Sequence, residues 1–313
     1  MAGVTAVPVI DMKKLNGEDR EIVMTQIDSA CEQWGFFQLL NHGIPHNLLD
    51  RVQELFKEHY KNSMDAEFQK SAPAEMLNNA LSQENCKKID SDWESGFFLQ
   101  HSSHKPAMVA PAMPANLKET MDEFAEEMGG LADRILNIMC ENLGLEKGYL
   151  KDALTGNDGP FFGTKMCHYP PCPRPDLIDG LRSHTDAGGI ILLLQDDKVD
   201  GLQVLKDGTW FDVQPLNHAI VIDIGDQLEV ITNGKYKSMW HRVLAKKDGN
   251  RMSVASFYNP SSTAKVYPAP TLVVSDDPTA ENYPEFISGD YMRLYGEQKF
   301  LAKEPRIEAM RTN

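Results

Sequence analysis

Residues 180–195 read GLRSHTDAGGIILLLQ, and this stretch joins a histidine–x–aspartate tripeptide to the most apolar run of the chain. Residues 188–194 predict a buried strand, because the run is short, continuous and rich in aliphatic side chains. On a strand, residues two apart project from the same face, so the imidazole of His184 and the carboxylate of Asp186 converge on one point. Two such ligands make a weak metal site, and a third ligand must come from elsewhere in the fold.

Short β-rich runs separated by turn signals surround this stretch, from Gly159 to about Pro260. Asp207-Gly208, Asn233-Gly234 and Asp248-Gly249 are dipeptides that favour tight turns between strands. Many short strands with regular turns are typical of a sandwich, a barrel or a jelly roll. The predicted strands cover residues 163–169, 188–195, 202–205, 210–213, 219–224, 238–245 and 252–258.

Helices are predicted on both sides of the β-rich region. Residues 115–142 carry one apolar stripe in alternating steps of four and three, which indicates a long amphipathic helix that Gly129-Gly130 weakens in the middle. Shorter helices are predicted at 21–34 and 48–60, with a buried strand at 36–40 between them, and the tail from Tyr283 onward is again helical. Residues 63–114 are less regular, and we interpret them as a connection. The sequence therefore predicts a mainly β protein with flanking helices, in the α+β class.

These changes in predicted secondary structure divide the chain into four regions. We expect an N-terminal α/β region at 1–114, a long helix and linker at 115–158, a metal-binding core at 159–262, and a helical tail at 263–313 that packs on the core. A chain of 313 residues is long enough to bury a sizeable core as one large domain or two small ones.

The bulk properties argue against several classes of partner. The formal net charge is −15, which opposes binding to nucleic acid or to an anionic membrane, because both require a basic surface. Neither a signal-peptide pattern nor an apolar stretch of membrane-spanning length is evident. Five cysteines form no CxxC pair, which indicates reduced thiols rather than a disulfide framework or a structural zinc site. We expect a cytoplasmic monomer with neither nucleic acid nor membrane as a partner.

The third metal ligand has two downstream candidates, His218 and His241. Two histidines and one carboxylate on one face of an octahedron leave three positions open. This ligand set is typical of non-haem Fe(II) oxygenases, which need room for substrate and O₂ together. The residues therefore predict Fe(II) as the cofactor, while their spacing leaves the choice of third ligand open.

Basic side chains are predicted to face the same cavity as the metal. Strand parity places Arg182 on the face of His184 and Asp186. The other same-face series are Lys165, Cys167 and Tyr169 on one strand and Arg251, Ser253 and Phe257 on another. Buried cations are unfavourable without an anionic partner, so an interior that collects them indicates ligands that carry carboxylates.

The motifs around these residues are specific enough to indicate a family. They are WGFF (34–37), NHG (41–43), KMCHYPPCPRPDL (165–177), GLRSHTDAGG (180–189), GDQLEV (225–230), NGKYKS (233–238), HRV (241–243) and SFYNP (256–260). Over most of the chain, and least over residues 69–114, they resemble the plant 2-oxoglutarate/Fe(II)-dependent dioxygenases. The resemblance implies a double-stranded β-helix core, the cupin-like jelly roll. It also implies that His241 is the third ligand and that His218 and His42 are structural.

Within that superfamily the chain is most similar to the 1-aminocyclopropane-1-carboxylate (ACC) oxidase family. The features that carry this are DWES (92–95), CENLGL (140–145), FGTK (162–165), Arg182 before the metal motif, DAGGIILL (186–193) and KEPR (303–306). The resemblance implies an oxidoreductase of ethylene biosynthesis that takes ACC and O₂, with ascorbate as reductant and bicarbonate or CO₂ as activator. ACC would chelate the iron and be converted to ethylene, cyanide and CO₂, without 2-oxoglutarate.

The resemblance also implies roles for individual residues. We expect contacts to substrate, bicarbonate or ascorbate from Lys165, Arg182, Arg251 and Ser253. We expect the pocket to be lined by Tyr169, Gln195 and Phe257. Lys303 and Arg306 of the tail are expected to close the site.

Two other functions compete with this interpretation. In a 2-oxoglutarate-dependent hydroxylase or desaturase, Arg251 and Ser253 would clamp the distal carboxylate of the cosubstrate, although Arg182 and Lys165 argue against it. A jelly-roll binding protein without catalytic activity is disfavoured by the intact ligands. The departures from the usual ACC oxidase pattern are Ser183, Leu194, Asp223 and Met239-Trp240. Parity places Asp223 opposite Ile222 and Ile224, towards the cavity.

Overall fold

A computed structural model of the chain describes residues 6–82, 86–101, 113–273 and 283–312. The strands are β1 (Val9–Asp11), β2 (Phe36–Leu40), β3 (Ser95–Gln100), β4 (Phe161–Tyr169), β5 (Leu181–His184), β6 (Ile190–Gln195), β7 (Leu202–Lys206), β8 (Thr209–Asp212), β9 (Ile220–Ile224), β10 (His241–Val243), β11 (Arg251–Asn259), β12 (Lys265–Val266) and β13 (Phe286–Ile287). The α-helices are α1 (Arg20–Gln33), α2 (His46–His59), α3 (Asp65–Phe68), α4 (Ala72–Leu81), α5 (Ala115–Leu143), α6 (Tyr149–Thr155), α7 (Asp226–Ile231), α8 (Ser288–Gln298) and α9 (Lys303–Glu308).

Two facing sheets make up the core. Seven strands form the larger sheet in the order β1-β2-β9-β6-β11-β4-β3, and four form the smaller one in the order β5-β10-β7-β8. Strands β1 and β2 run parallel, whereas β11 is antiparallel to both β4 and β6 along most of its length. This arrangement is the predicted jelly roll, flanked by helices.

The two faces of the larger sheet have different partners, because successive side chains on a strand point in opposite directions. Met166, Leu192, Ile222 and Val254 belong to one buried cluster with residues of α5 and of the N-terminal helices. The intervening residues of the same strands face a cavity between the two sheets. Alternation along the strands therefore separates the packed core from the functional interior.

The long helix α5 braces the outer face of the larger sheet. It covers the predicted stripe and continues through Gly129 and Gly130 to Leu143. It ends where Gly144 adopts the left-handed conformation at φ 67°, which glycine reaches without a steric penalty.

The interpretation of residues 63–114 as a connection was wrong for much of that segment. It contains α3, α4 and β3, and β3 pairs with β4 to complete one edge of the larger sheet. Residues 83–85 and 102–112 lie outside the described residues. Helix α7 was not predicted either. Among the helices that the structure describes, none is long and apolar enough to cross a membrane.

Candidate metal centre

The two strands that end at the metal motif bring its histidines together. His184 ends β5 and His241 begins β10, and the two residues pair across these antiparallel strands with ring centroids 4.3 Å apart. The Asp186 carboxylate lies 3.6 Å from Nε2 of His184. One donor atom from each of the three residues lies within 4.8 Å of the other two. The three predicted ligands therefore converge.

The other candidate for the third ligand, His218, lies elsewhere. Its Nε2 is 2.7 Å from Oδ1 of Asp50, and its ring stacks on His46 at a centroid distance of 4.1 Å. His42 donates from Nε2 to the carbonyl oxygen of His218 at 2.8 Å. Both histidines are thus engaged in contacts away from the metal centre.

Hydrogen bonds to the backbone fix which nitrogen each ligand histidine presents. Nδ1 of His184 lies 2.8 Å from the carbonyl oxygen of Arg182, and Nδ1 of His241 lies 3.2 Å from that of Met239. A carbonyl oxygen can only accept, so each Nδ1 carries the proton and each Nε2 keeps its lone pair for a metal.

The protonation states of the ligands suit a cation as well. Burial lowers the pKa of His241 to about 3, which keeps that imidazole neutral. Burial raises the pKa of Asp186, but the adjacent imidazoles of His184 and His241 outweigh it, so this pKa lies well below its ordinary value. Two imidazoles that each present Nε2, together with one carboxylate beside an open cavity, fit Fe(II).

The cavity has a volume of about 240 Å³ and lies between the two sheets. Its walls come from alternate residues of both sheets, together with one side of α8 and the residue after it. The lining includes Phe36, Lys165, Cys167, Tyr169, Leu181, His184, Asp186, Ile191, Leu193, Asp223, His241, Val243, Arg251, Ser253, Phe257, Met292, Tyr295 and Lys299. The lining of this small cavity therefore combines charged side chains with apolar ones.

Arg182 does not line this cavity, so the parity argument for it was wrong. His184 pairs with His241 and Leu181 with Val243, which leaves two residues of β5 opposite one residue of β10. Such a β-bulge shifts the alternation of side chains. Leu181 and His184 consequently face the cavity, while the Arg182 guanidinium pairs with Asp92 at 3.0 Å and with Asp90 and covers the ring of Phe300.

Lys165 and Tyr169 do line the cavity, and both contact a residue that sequence reasoning missed. Glu94 accepts a hydrogen bond from Nζ of Lys165 at 2.7 Å through Oε1 and one from the Tyr169 hydroxyl at 3.4 Å through Oε2. Glu94 belongs to the DWES motif, which indicated the family but not this contact. Its carboxylate neutralises one of the three basic side chains of the lining.

Arg251 is the best candidate for binding an anion. The residue is 2% exposed, and among the described residues its Nε and Nη1 find no hydrogen-bond partner. Ser253 faces the same cavity two residues along β11, as does Phe257. Burying a guanidinium whose donors have no partner costs free energy, and hydrogen bonds to an incoming oxyanion would offset that cost. The prediction that Gln195 lines the cavity was wrong, because this residue is not part of the lining and instead has Oε1 3.5 Å from Nη2 of Arg251.

Lys303 and Arg306 were expected to contact ligands and close the site, but neither lines the cavity, and both are buried against carboxylates instead. Nζ of Lys303 lies 2.6 Å from Oε2 of Glu229. Nη2 of Arg306 lies 2.9 Å from Oδ2 of Asp226 and 3.0 Å from Oγ1 of Thr185, the residue between two metal ligands. These contacts fasten the tail to α7.

The tail still contributes to the cavity, through side chains that the sequence did not single out. Met292, Tyr295 and Lys299 recur at helical spacing and line the wall next to the metal ligands. Lys299 is the basic residue of the tail that faces the cavity. A prediction would have required the orientation of α8, which depends on its packing.

Asp223 faces the cavity, as its parity on β9 predicted. Oδ1 has no hydrogen-bond partner among the described residues, and Oδ2 lies 3.9 Å from Nδ1 of His241. Burial and the neighbouring Asp186 carboxylate raise the pKa of Asp223 well above its ordinary value. The cavity therefore contains a second acidic side chain beside the ligand carboxylate.

Family profiles and sequence relatives agree with this geometry. The 2OG-Fe(II) oxygenase superfamily matches residues 162–260, and the N-terminal region of the non-haem dioxygenases in morphine synthesis matches residues 7–118. A 1-aminocyclopropane-1-carboxylate oxidase 3 of Cucumis melo is 56% identical over 304 residues, which cover 97% of this chain and 94% of the relative. A 1-aminocyclopropane-1-carboxylate oxidase 2 of Malus domestica is 54% identical, with coverages of 97% and 91%.

Solved structures share the fold over almost the whole chain. A crystal structure of JOX2 in complex with 2OG, Fe and JA superimposes with a TM-score of 0.80 at 32% identity, and covers 98% of this chain and 89% of that one. The dioxygenase for auxin oxidation in rice superimposes with a TM-score of 0.75 at 23% identity, covering 98% and 99%, which is a likeness of fold alone.

Proposed function

The chain belongs to the 1-aminocyclopropane-1-carboxylate oxidase family of the 2OG-Fe(II) oxygenase superfamily, and from this membership we propose that it oxidises ACC with O₂ to ethylene. The observation that carries the proposal is the convergence of His184, Asp186 and His241 beside a cavity that also holds Arg251 with vacant donors.

The proposed reaction balances with ascorbate as the reductant. ACC and O₂, with two hydrogen atoms from ascorbate, give ethylene, hydrogen cyanide, CO₂ and two molecules of water. O₂ is reduced by four electrons, two from ACC and two from ascorbate. Fe(II) would be held by His184, Asp186 and His241 and would supply the one-electron chemistry that lets O₂ react with a closed-shell substrate. The protein orients the reactants and compensates their charges.

We assign the carboxylate-binding roles to the basic groups of the cavity. Arg251 and Ser253 are proposed to hold an anionic group of substrate, bicarbonate or ascorbate, with Gln195 supporting the guanidinium from behind. Tyr169 and Phe257 are proposed to enclose the apolar ring carbons of ACC, and their positions in the lining support this.

The remaining predicted residues act at a distance from the cavity. Arg182, which pairs with Asp92, is proposed to hold the mouth of the site in shape. Lys303 and Arg306 are proposed to keep α8 in place through their buried ion pairs, so that Lys299 reaches the cavity.

A 2-oxoglutarate-dependent oxidation is the second candidate, because vacant donors on Arg251 would also suit the distal carboxylate of that cosubstrate. The solved JOX2 structure contains 2OG and Fe. The ion pair between Lys165 and Glu94 does not favour ACC oxidation over 2-oxoglutarate-dependent oxidation, so an assay must separate the two functions.

The test is production of ethylene by the Fe(II)-loaded protein. Incubation with ACC, ascorbate and bicarbonate under air should release ethylene into the headspace, and added 2-oxoglutarate should not increase it. His241→Ala should abolish production, and the matched control His218→Ala should retain it. Failure to form ethylene, or a strict requirement for 2-oxoglutarate, would overturn the proposal.

We further propose that the protein acts as a cytoplasmic monomer. Its net charge of −15 and the buried thiols of Cys31, Cys140, Cys167 and Cys172, which form no disulfide, support a reducing compartment and no affinity for polyanions. Light scattering should give a mass close to 35.1 kDa.

A further inference from the structure

A strap of three residues, Asp92 to Glu94, immediately precedes β3 and contacts the cavity residues Lys165 and Tyr169 through Glu94. Trp93 anchors it, because its side chain is buried and its Nε1 donates to the carbonyl oxygen of Pro170 at 2.9 Å. Its backbone N–H also donates to the carbonyl oxygen of Asp179 at 2.8 Å. The anchored strap presents the Glu94 carboxylate to the cavity side of β4.

Glu94 distinguishes Lys165 from the other basic groups of the cavity. Lys165 has a carboxylate at 2.7 Å, whereas neither Arg251 nor Lys299 has a carboxylate within 4 Å among the described residues. An anion that approaches Arg251 meets vacant donors. One that approaches Lys165 meets a cation that is already neutralised.

The pair is placed so that it can open. The side chains of Lys165 and Glu94 are 28% and 20% exposed, so water and small anions reach both. Lysine is a flexible point charge that can exchange one oxygen ligand for another without a change of backbone. Glu94 keeps the Tyr169 hydroxyl as a second donor when the lysine leaves it.

We propose that Glu94 is an internal competitor for Lys165, a residue that sets the affinity of the cavity for small oxyanions. A carboxylate or bicarbonate binds at Lys165 by replacing the Glu94 carboxylate, and its affinity is lower by the strength of the ion pair that it breaks. Glu94 is a positioning residue, because it acts on the ligand through Lys165. The inference deepens the proposed function, on which its biological meaning rests, but anion binding itself requires no turnover.

Titration of the Fe(II)-loaded protein with sodium bicarbonate and sodium acetate tests this, by calorimetry without oxygen or ACC and at constant ionic strength. Glu94→Gln keeps the size of the side chain and an acceptor for Lys165 but removes the competing charge. The half-saturating anion concentration should fall by about tenfold, the effect of roughly one pKa unit of charge interaction. Asp90→Asn is the matched control, because this carboxylate lies on the same segment, is 91% exposed and pairs with Arg182 instead. It should change the half-saturating concentration by less than about twofold.

A double-mutant cycle identifies the lysine as the site. In a Lys165→Met background, Glu94→Gln should no longer change anion binding. The proposal is overturned if Glu94→Gln weakens binding or leaves it unchanged, if neither protein binds the anions, or if the gain persists without Lys165. A merely structural Glu94 predicts weaker binding and a lower unfolding temperature. Because the readout is binding, absence of ethylene would refute the proposed function and leave this inference standing.

Discussion

Replacement of Arg306 by methionine should weaken the attachment of the tail to the core. The guanidinium is completely buried, 2.9 Å from Oδ2 of the equally buried Asp226, and its Cζ lies 4.8 Å from the centroid of the Tyr295 ring. Methionine preserves much of the length and volume of the side chain but leaves a buried carboxylate without its cation.

The size of the effect follows from what remains around that carboxylate. Removing one partner of a buried ion pair costs about 3–5 kcal/mol of folding free energy. Asp226 keeps hydroxyl donors from Ser238 and Tyr291 at 2.7 Å and from Thr185 at 3.2 Å, so we expect the lower end, ~3 kcal/mol. An unfolding entropy of about 2.1 cal/mol/K per residue gives roughly 0.66 kcal/mol/K for 313 residues, so Tm should fall by about 5 °C.

Differential scanning calorimetry of the metal-loaded protein measures this change. Arg293→Met is the matched control, because that arginine is 73% exposed and pairs with Asp290 on the surface of the same tail. Its Tm should change by less than about 1 °C. The double variant Arg306→Met/Asp226→Asn should be less destabilised than the sum of the single variants, by about 1 kcal/mol or more. A Tm within about 1 °C of the parent for Arg306→Met, or additive single effects, would refute the reasoning.

Three further predictions address the ligands, acid stability and packing of the site. His241→Ala should leave the protein without iron after desalting, whereas His218→Ala should retain it, and equal iron contents would contradict the ligand assignment. Burial lowers the pKa of His168 to about 4 from an ordinary 6.5, so the unfolded chain binds more protons than the folded one between these two pH values. The free energy of unfolding should therefore fall by ~3 kcal/mol as the pH drops from 6.5 to 4. Denaturant titrations at both pH values should show a smaller loss for His168→Gln than for the parent protein, and equal losses would contradict the role of His168. Gly188→Ala would place its Cβ 1.7 Å from Oδ1 of Asn259, so we expect the substitution to destabilise the fold by ~2 kcal/mol. An unaltered denaturation midpoint would show that Asn259 can move aside without a loss of stability.

Local pattern was sufficient to predict most strands of the two sheets and the first two metal ligands, but not β3. His184 and Asp186 are two residues apart, so their convergence requires only that the chain be extended there. The same alternation identified Lys165, Tyr169 and Asp223 as cavity residues, because β4 and β9 run regularly through the larger sheet. The choice of His241 required the family motifs, since its distance along the chain carries no geometric information.

Alternation failed where the strand is irregular. Arg182 lies in a β-bulge of β5, and a bulge depends on how two strands distant in sequence come into register. Nothing in residues 180–195 specifies the partner strand. The face on which Arg182 lies was therefore decided by pairing with β10 and not by its own position.

The partners of the charged residues were also decided only in the tertiary structure. Lys303, Arg306 and Lys165 carry the same charge in the sequence, yet the first two are buried against carboxylates of α7 and the third meets Glu94 at the cavity. Each of these pairs joins residues more than seventy positions apart. Hydrophobic periodicity reports which face of an element is buried, whereas the partner of a buried charge depends on how whole elements pack.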